Sequence, residues 1–502
     1  MGEKLEQLKM HLTRPIDLLN AVSILNWDQE VYMPPEGVNA RTEQLSTLNA
    51  MAHEIYTSEK TAKLLEAAEA EVADMAYDSD EASLVRVVRR TFDQQTKLPT
   101  DLIIRESRAT SQGFAAWRQA RAEKNYAIFQ PHLREILDIN LEKADCFGYE
   151  RHPYDALLDQ FEPDVKTAQI EQLFDDLKTG LVPLVQAIAA ADPVNDNFLK
   201  DRDYDLDRQW DLTVLALRDI GYDFNRGRQD KAPHPFTVNF STKDVRVTTR
   251  LSRNRPHTGL LSSIHEGGHA LYEQGIPEKF ERTDLAGGAT LGLHESQSRM
   301  WENQVALSEP FWRHYYPIWR AFFPDQLADV NFEQWYRAIN RVKPHFIRVE
   351  ADEVTYSMHI FARFELEKDL MTGKLMVEDV PEAWNAKYQA YLGITPPDDA
   401  LGCLQDIHWS HGTIGYFPTY TLGNLISAQL YAQAKQDIPG LEEGFARGEF
   451  APLLDWLHNR VHRHGRKFTA PELLERELGQ KMCARPLLDY MREKYTAIYH
   501  LA

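Results

Sequence analysis

The sequence predicts a mainly α-helical protein with a small β-sheet beside a helix that carries two histidines and a glutamate. Three observations carry that reading. Apolar residues recur at helical spacing over most of the 502 residues. One short stretch, 235–250, switches to β-branched and aromatic residues. Immediately downstream lies TGLLSSIHEGGHALY, beginning at Thr258, an apolar helical run that holds two histidines, a glutamate and two glycines.

In chain order, Leu5, Leu8, Ile16, Leu18 and Leu19 open a first helix, and residues 33–37 (MPPEG) form a loop. A second helix covers 41–55, with Leu45, Leu48, Met51 and Ala52 on one side. Further helices are expected over 84–94, 114–126, 133–147 and 170–190. Residues 235–240 (PFTVNF) and 245–250 (VRVTTR) read as a hairpin around the polar turn 241–244. The next helix takes Thr258 as N-cap and stops at Gly275. From about Asn303 the pattern is helical again, with a loop at 393–397.

Composition excludes several classes. Hydrophobic residues make up 43% and aromatics 11%, enough to build a substantial core and exclude disorder. Lys+Arg is 56 against Asp+Glu 76, and a net charge of −20 argues against a nucleic-acid or anionic-membrane partner. Cys146, Cys403 and Cys483 are far apart and form no CxxC pair, which fits a reducing cytoplasm. The start, MGEKLEQLKMHL, lacks an apolar signal core, and Glu6 breaks the myristoylation pattern. No run of about 18 apolar residues is available to span a bilayer. The expectation is a soluble, cytoplasmic protein.

Histidines four apart on a helix project from one face, so His265 and His269 can meet one Zn²⁺. Glu266 points partly off that axis, where it can act as a general base on water rather than as a ligand. Each glycine costs the helix about 1 kcal/mol relative to alanine. Omitting two Cβ atoms there lets another backbone or a substrate come close. A catalytic zinc needs a third protein ligand. A histidine six residues after His269 is ruled out because Gly275 stands there, so a carboxylate from a second helix is expected. Glu281, Asp284, Glu295 and Glu302 are candidates. Glu295 is chosen because the Gly287-Gly288 loop lets the chain reverse before its helix.

An ordered set of motifs resembles the M32 metallocarboxypeptidases (carboxypeptidase Taq type) over nearly the full chain. It comprises Trp27-Asp28-Gln29-Glu30 with Tyr32-Met33-Pro34, then His234-Pro235-Phe236, Asp244-x-Arg246-x-Thr248 and His265-Glu266-Gly267-Gly268-His269. His294-Glu295-Ser296-Gln297, Ile347-Arg348-x-x-Ala351-Asp352-Glu353 and Gly402-x-x-Gln405-Asp406-x-His408-Trp409 complete it. The resemblance implies one enzyme domain over 1–502 with a deep active-site groove, residues 1–110 serving as groove wall or cap. It implies a homodimer, peptide substrates, release of single C-terminal residues with broad tolerance, and a zinc ion that cobalt can replace. It carries the ligand role onto His265, His269 and Glu295 and the general-base role onto Glu266.

Such an enzyme must hold a free carboxylate, which favours arginine. Arg348 is the candidate clamp, against the alternative of a structural ion pair with Glu350, Asp352 or Glu353. A His or Tyr donor would stabilise the developing oxyanion. His408 and Tyr420 rank first for that role, with His234, Tyr416 and Asp406 as substrate-binding candidates. Asp406 and His408 could instead organise their loop, as outer partners of a ligating imidazole. His458, His462 and His464, lying among arginines, read as a solvated basic helix face. Two rival functions remain: an oligoendopeptidase or dipeptidyl carboxypeptidase with the same metal centre, and a non-catalytic, metal-stabilised scaffold.

Overall fold

The computed structural model describes residues 2–501. The chain gathers into two compact units, each assembled from three separate stretches. The first takes 1–95, 195–339 and 430–480; the second takes 96–194, 340–429 and 481–502. Both are helical, as the periodicity predicts. Among the described residues, no helix is long and apolar enough to cross a membrane.

The first unit opens with α1 (Glu3–Val31) and α2 (Val38–Tyr56), separated by the short PPEG segment that the two prolines keep out of the helices. After α3 (Leu206–Asp219) comes a three-stranded sheet: β1 (Gln229–Lys231), β2 (Thr237–Ser241) and β3 (Asp244–Thr249). The strand order is β1-β3-β2. The expected hairpin is present, with Thr237 opposite Val247 and Asn239 opposite Val245. Strand β1 was not anticipated. Its three residues, Gln-Asp-Lys, carry no β-forming pattern, and they become a strand only by pairing in parallel with β3.

The sheet lies beside α4 (Pro256–Gly275). This helix starts two residues before the expected cap, because Pro256 supplies a preset φ in the first turn, but it ends at Gly275 as expected. Helix α5 (Leu291–Arg299) is capped by the Thr290 hydroxyl, which accepts from the Leu293 amide at 3.0 Å. It runs on without a break into a wider π-helical turn, Met300–Ala306. Behind these elements, Trp312, Trp319 and Trp335 fill the core, with Trp312 and Trp319 two turns apart on the helix Glu309–Phe322.

In the second unit, the segments expected at 114–126, 133–147 and 170–190 appear as Thr100–Glu123, Gln130–Phe147 and Thr167–Ala190. The segment expected at 84–94 belongs to Asp80–Thr96. Phe174, Phe361 and Phe364 pack ring to ring in the core of the second unit. Buried Glu367, on the helix Tyr356–Met371, ties down the loop that carries Asp406 and His408. It accepts from Trp409 Nε1 at 2.8 Å and from the Gly415 amide at 3.2 Å.

Candidate metal centre

His265 and His269 leave the same face of α4, and Glu295 comes to meet them from α5. The Glu295 Oε2 atom lies 3.7 Å from His265 Nε2 and 3.4 Å from His269 Nε2. One donor atom from each of the three residues lies within 4.8 Å of the others. Ligands at about 2.0–2.1 Å from a tetrahedral ion stand roughly 3.3 Å apart, so two imidazole nitrogens and a carboxylate oxygen fit a divalent zinc-like ion. Of the other carboxylates considered, Glu302 turns to the far nitrogen of His265, and the remaining two are engaged elsewhere. Glu281 accepts from the Thr242 amide, and Asp284 accepts from the Tyr56 hydroxyl at 2.8 Å.

The two glycines have separate reasons. A Cβ on Gly268 would stand 2.6 Å from both the Gln297 carbonyl oxygen and Ser298 Cα, which are backbone atoms of α5. Gly268 is therefore what allows the helix bearing Glu295 to reach the histidines. A Cβ on Gly267 would meet the Leu217 side chain of α3 at 2.7 Å. The expected approach of another backbone is thus real, and the backbone is the chain's own.

Each candidate ligand has an outer partner. His265 Nδ1 lies 2.7 Å from Glu302 Oε2, on the π-helical turn. His269 Nδ1 lies 2.5 Å from His294 Nδ1, and His294 Nε2 lies 2.7 Å from Glu273 Oε1. Arg299 Nε donates to Glu295 Oε1 at 2.7 Å, which leaves Oε2 turned to the histidines. Glu266 is absent from the ligand group. The Thr237 hydroxyl, from β2, lies 2.7 Å from its Oε2 and 2.9 Å from its carbonyl oxygen.

These surroundings set the charges. Burial raises the Glu266 carboxyl above its usual range, making it a better proton acceptor, against the pull of His265 and Thr237. Burial also opposes charge on Glu295, but Arg299 and the two histidines outweigh it and hold this carboxyl well below its usual range. Burial works against protonation of His265, yet Glu295 and Glu302 overcome it and push the imidazole up to about 9. At His269 burial prevails, and its imidazole falls to about 3.

The remaining predicted residues fall in different places. His234 is exposed in the loop before β2. In the second unit, Arg348 is buried and ion-paired, although with none of the acids beside it in sequence. Its Nε and Nη2 donate to Asp406 Oδ1 at 3.1 and 2.9 Å, and Nη1 donates to the Tyr356 hydroxyl at 2.9 Å. Arg363 grips the other oxygen of Asp406. Burial opposes the Asp406 charge, but the two guanidiniums hold the carboxyl below its ordinary value. Asp406 thus serves arginines and not a ligating imidazole. His408 Nδ1 is 3.9 Å from Asp406, and its Nε2 is 3.5 Å from the Tyr420 hydroxyl. Burial lowers His408 to about 4, so it is a neutral ring. Tyr416 packs edge-on to Tyr420, with ring centroids 5.4 Å apart.

The expected basic face at 458–464 is solvated only in part, at Asn459 and Arg463. His462 and His464 are buried in a turn after the helix Ala451–Arg460, and His462 Nε2 bonds Gln297 Oε1 at 3.0 Å. The absence of a side chain on Gly275 makes room for the His462 ring. Sequence reasoning passed over Glu302 as a partner and missed Glu273, Thr237 and Arg299. A signal existed for one of them: a ligating imidazole needs an outer hydrogen-bond partner, and Glu273 stands one turn after His269.

Residues 7–495 match the family described as Carboxypeptidase Taq (M32) metallopeptidase. The chain is 37% identical over 481 residues to carboxypeptidase 1 of Bacillus subtilis (strain 168), covering 96% of each. It is 39% identical over 482 residues to thermostable carboxypeptidase 1 of Thermus thermophilus, covering 94% of each. The crystal structure of M32 carboxypeptidase from Deinococcus radiodurans R1 is similar at a TM-score of 0.97 and 40% identity, with all of both chains covered.

Two outcomes are expected from this geometry. Gly268→Ala should lower the melting temperature and weaken metal binding, since a clash with backbone costs about 1–3 kcal/mol. Gly267→Ala, which meets only a side-chain end, should cost less in both thermal melts and metal titrations. A ligating imidazole must be neutral, so metal uptake displaces the proton that the carboxylates favour on His265. Metal affinity, measured by chelator competition, should therefore rise from pH 6 to pH 8.

Proposed function

The chain belongs to the carboxypeptidase Taq (M32) metallopeptidase family and is a metallocarboxypeptidase. From that premise we propose that it uses zinc at His265, His269 and Glu295 to release single residues, with broad side-chain tolerance, from peptide C-termini. The observation that carries this reading is the convergence of those three donors, with Glu266 beside them but outside the ligand set. Zinc bound there would supply Lewis-acid chemistry, polarising water and the scissile carbonyl; cobalt has the ligand preferences to replace it.

The chain's own part is proton handling and positioning. Glu266 Oε2 is held by Thr237, which leaves Oε1 to accept a proton from the attacking water. The same carboxyl then returns the proton to the departing amine. Arg348 takes the substrate's terminal carboxylate, and Asp406 fixes the plane of its guanidinium. Within the second unit, His408 and Tyr420 are the donors suited to a developing oxyanion and Tyr416 is a substrate contact; within the first unit, His234 is another.

The apolar residues left exposed on the two N-terminal helices support a homodimer. Met10, Leu19 and Ile24 lie on α1, and Val38 and Met51 on α2. Three free cysteines fit a cytoplasmic setting.

Mass spectrometry of a digested peptide should give a ladder that loses one residue at a time, and a chelator should stop it. Internal cuts or two-residue losses would replace this reading with an endopeptidase or a dipeptidyl carboxypeptidase. Glu266→Gln should keep the metal and lose at least about a thousandfold in kcat, a loss in the range expected for a general base that acts in both directions. Arg348→Lys should raise KM more than it lowers kcat, since an ammonium cannot pair bidentately. Sedimentation velocity should show a dimer that Met10→Glu with Ile24→Glu converts to monomer.

A further inference from the structure

The contacts around His269 define more than a ligand with a neighbour. Its Nε2 faces Glu295 Oε2 at 3.4 Å, so the nitrogen left to face His294 is Nδ1. The Nδ1–Nδ1 separation of 2.5 Å requires one proton between the two rings. A lone pair on the ligand side of His269 puts that proton on its own Nδ1. His294 Nδ1 is then the acceptor, and the His294 proton sits on Nε2, aimed at Glu273 Oε1 2.7 Å away.

Glu273 is itself pinned. It is buried, Asn239 Nδ2 donates to its Oε2 at 2.6 Å, and the Gly288 amide donates to its Oε1 at 3.2 Å. Thr237 and Asn239 stand two apart on β2 and so share one face, from which this strand holds both Glu273 and the general-base candidate Glu266. Gly288 has a second use, because a Cβ there would stand 2.5 Å from His294 Cδ2. His294 is also the residue before Glu295, so adjacent side chains of α5 engage His269 from its two ends.

Resting on the metal-centre reading above, we infer that His294 is a positioning residue whose hydrogen-bond polarity, set by Glu273 and Asn239, fixes the tautomer and ring angle of His269. It accepts one hydrogen bond and donates another, in that order, and this sets how tightly the metal is gripped.

Zinc affinity is measured by competition with a chromophoric chelator, on full-length protein whose folding is checked by circular dichroism without metal. The wild-type chain should bind one zinc tightly and His269→Ala should not; failure of either comparison removes the metal-centre reading and this inference with it. Given that binding, His294→Phe, which keeps ring volume but loses both nitrogens, should weaken zinc roughly 10–100-fold. His294→Gln, which presents an acceptor and a donor on a smaller side chain, should recover most of the loss. A space-filling role predicts the opposite order. Affinity within twofold of wild type in His294→Phe, or weaker binding by His294→Gln than by His294→Phe, would overturn the inference. Should His294→Phe fail to fold, Glu273→Gln supplies the reading, with a several-fold loss expected and an unchanged affinity refuting it.

Discussion

The close packing of α5 on α4 at Gly268 is the contact on which the rest of the first unit's chemistry depends. A carboxylate can serve beside two helical imidazoles only if its own helix comes within a few ångströms of theirs. Any side chain at 268 would meet the Gln297 and Ser298 backbone, which cannot move aside as a flexible chain end can. The cost of a glycine within a helix is thus offset by a geometry that no other residue permits.

Around that contact the charges form a balanced set. Arg299 lies between Glu295 and Glu302 and bonds to both, which offsets the repulsion between a buried and a half-buried carboxylate. The two histidines differ in kind: His265 meets a carboxylate directly, and His269 meets one through another imidazole. One imidazole is accordingly pushed towards its charged form and the other away from it. A pair that looks equivalent in the sequence is not equivalent in the structure.

Much of this was legible beforehand. Helical periodicity located many of the helices because each buries one apolar face, although it did not mark Glu59–Val72 or Leu206–Asp219, and the 235–250 hairpin was visible because its alternation has a different period. The His265, His269 and Glu295 grouping followed from spacing and from the need for a third donor. Other features were hidden for physical reasons. Strand β1 has no pattern of its own and exists through its partner. The burial of His462 depends on a hydrogen bond to Gln297, 165 positions away, and no local signal reports such a contact. The Arg348 partner was sought among near neighbours, whereas Asp406 lies 58 positions on.

The interleaving of the two units has a consequence for biosynthesis. Neither unit is a continuous piece of chain, so neither can close while the polypeptide is still short. The stretch ending at residue 95 leaves the ribosome well before the stretch that begins at residue 430. At about 5–20 residues per second, the wait is roughly 20 to 70 seconds. During that interval the nascent helices carry apolar faces without their final cover, which makes the growing chain a natural client for chaperones.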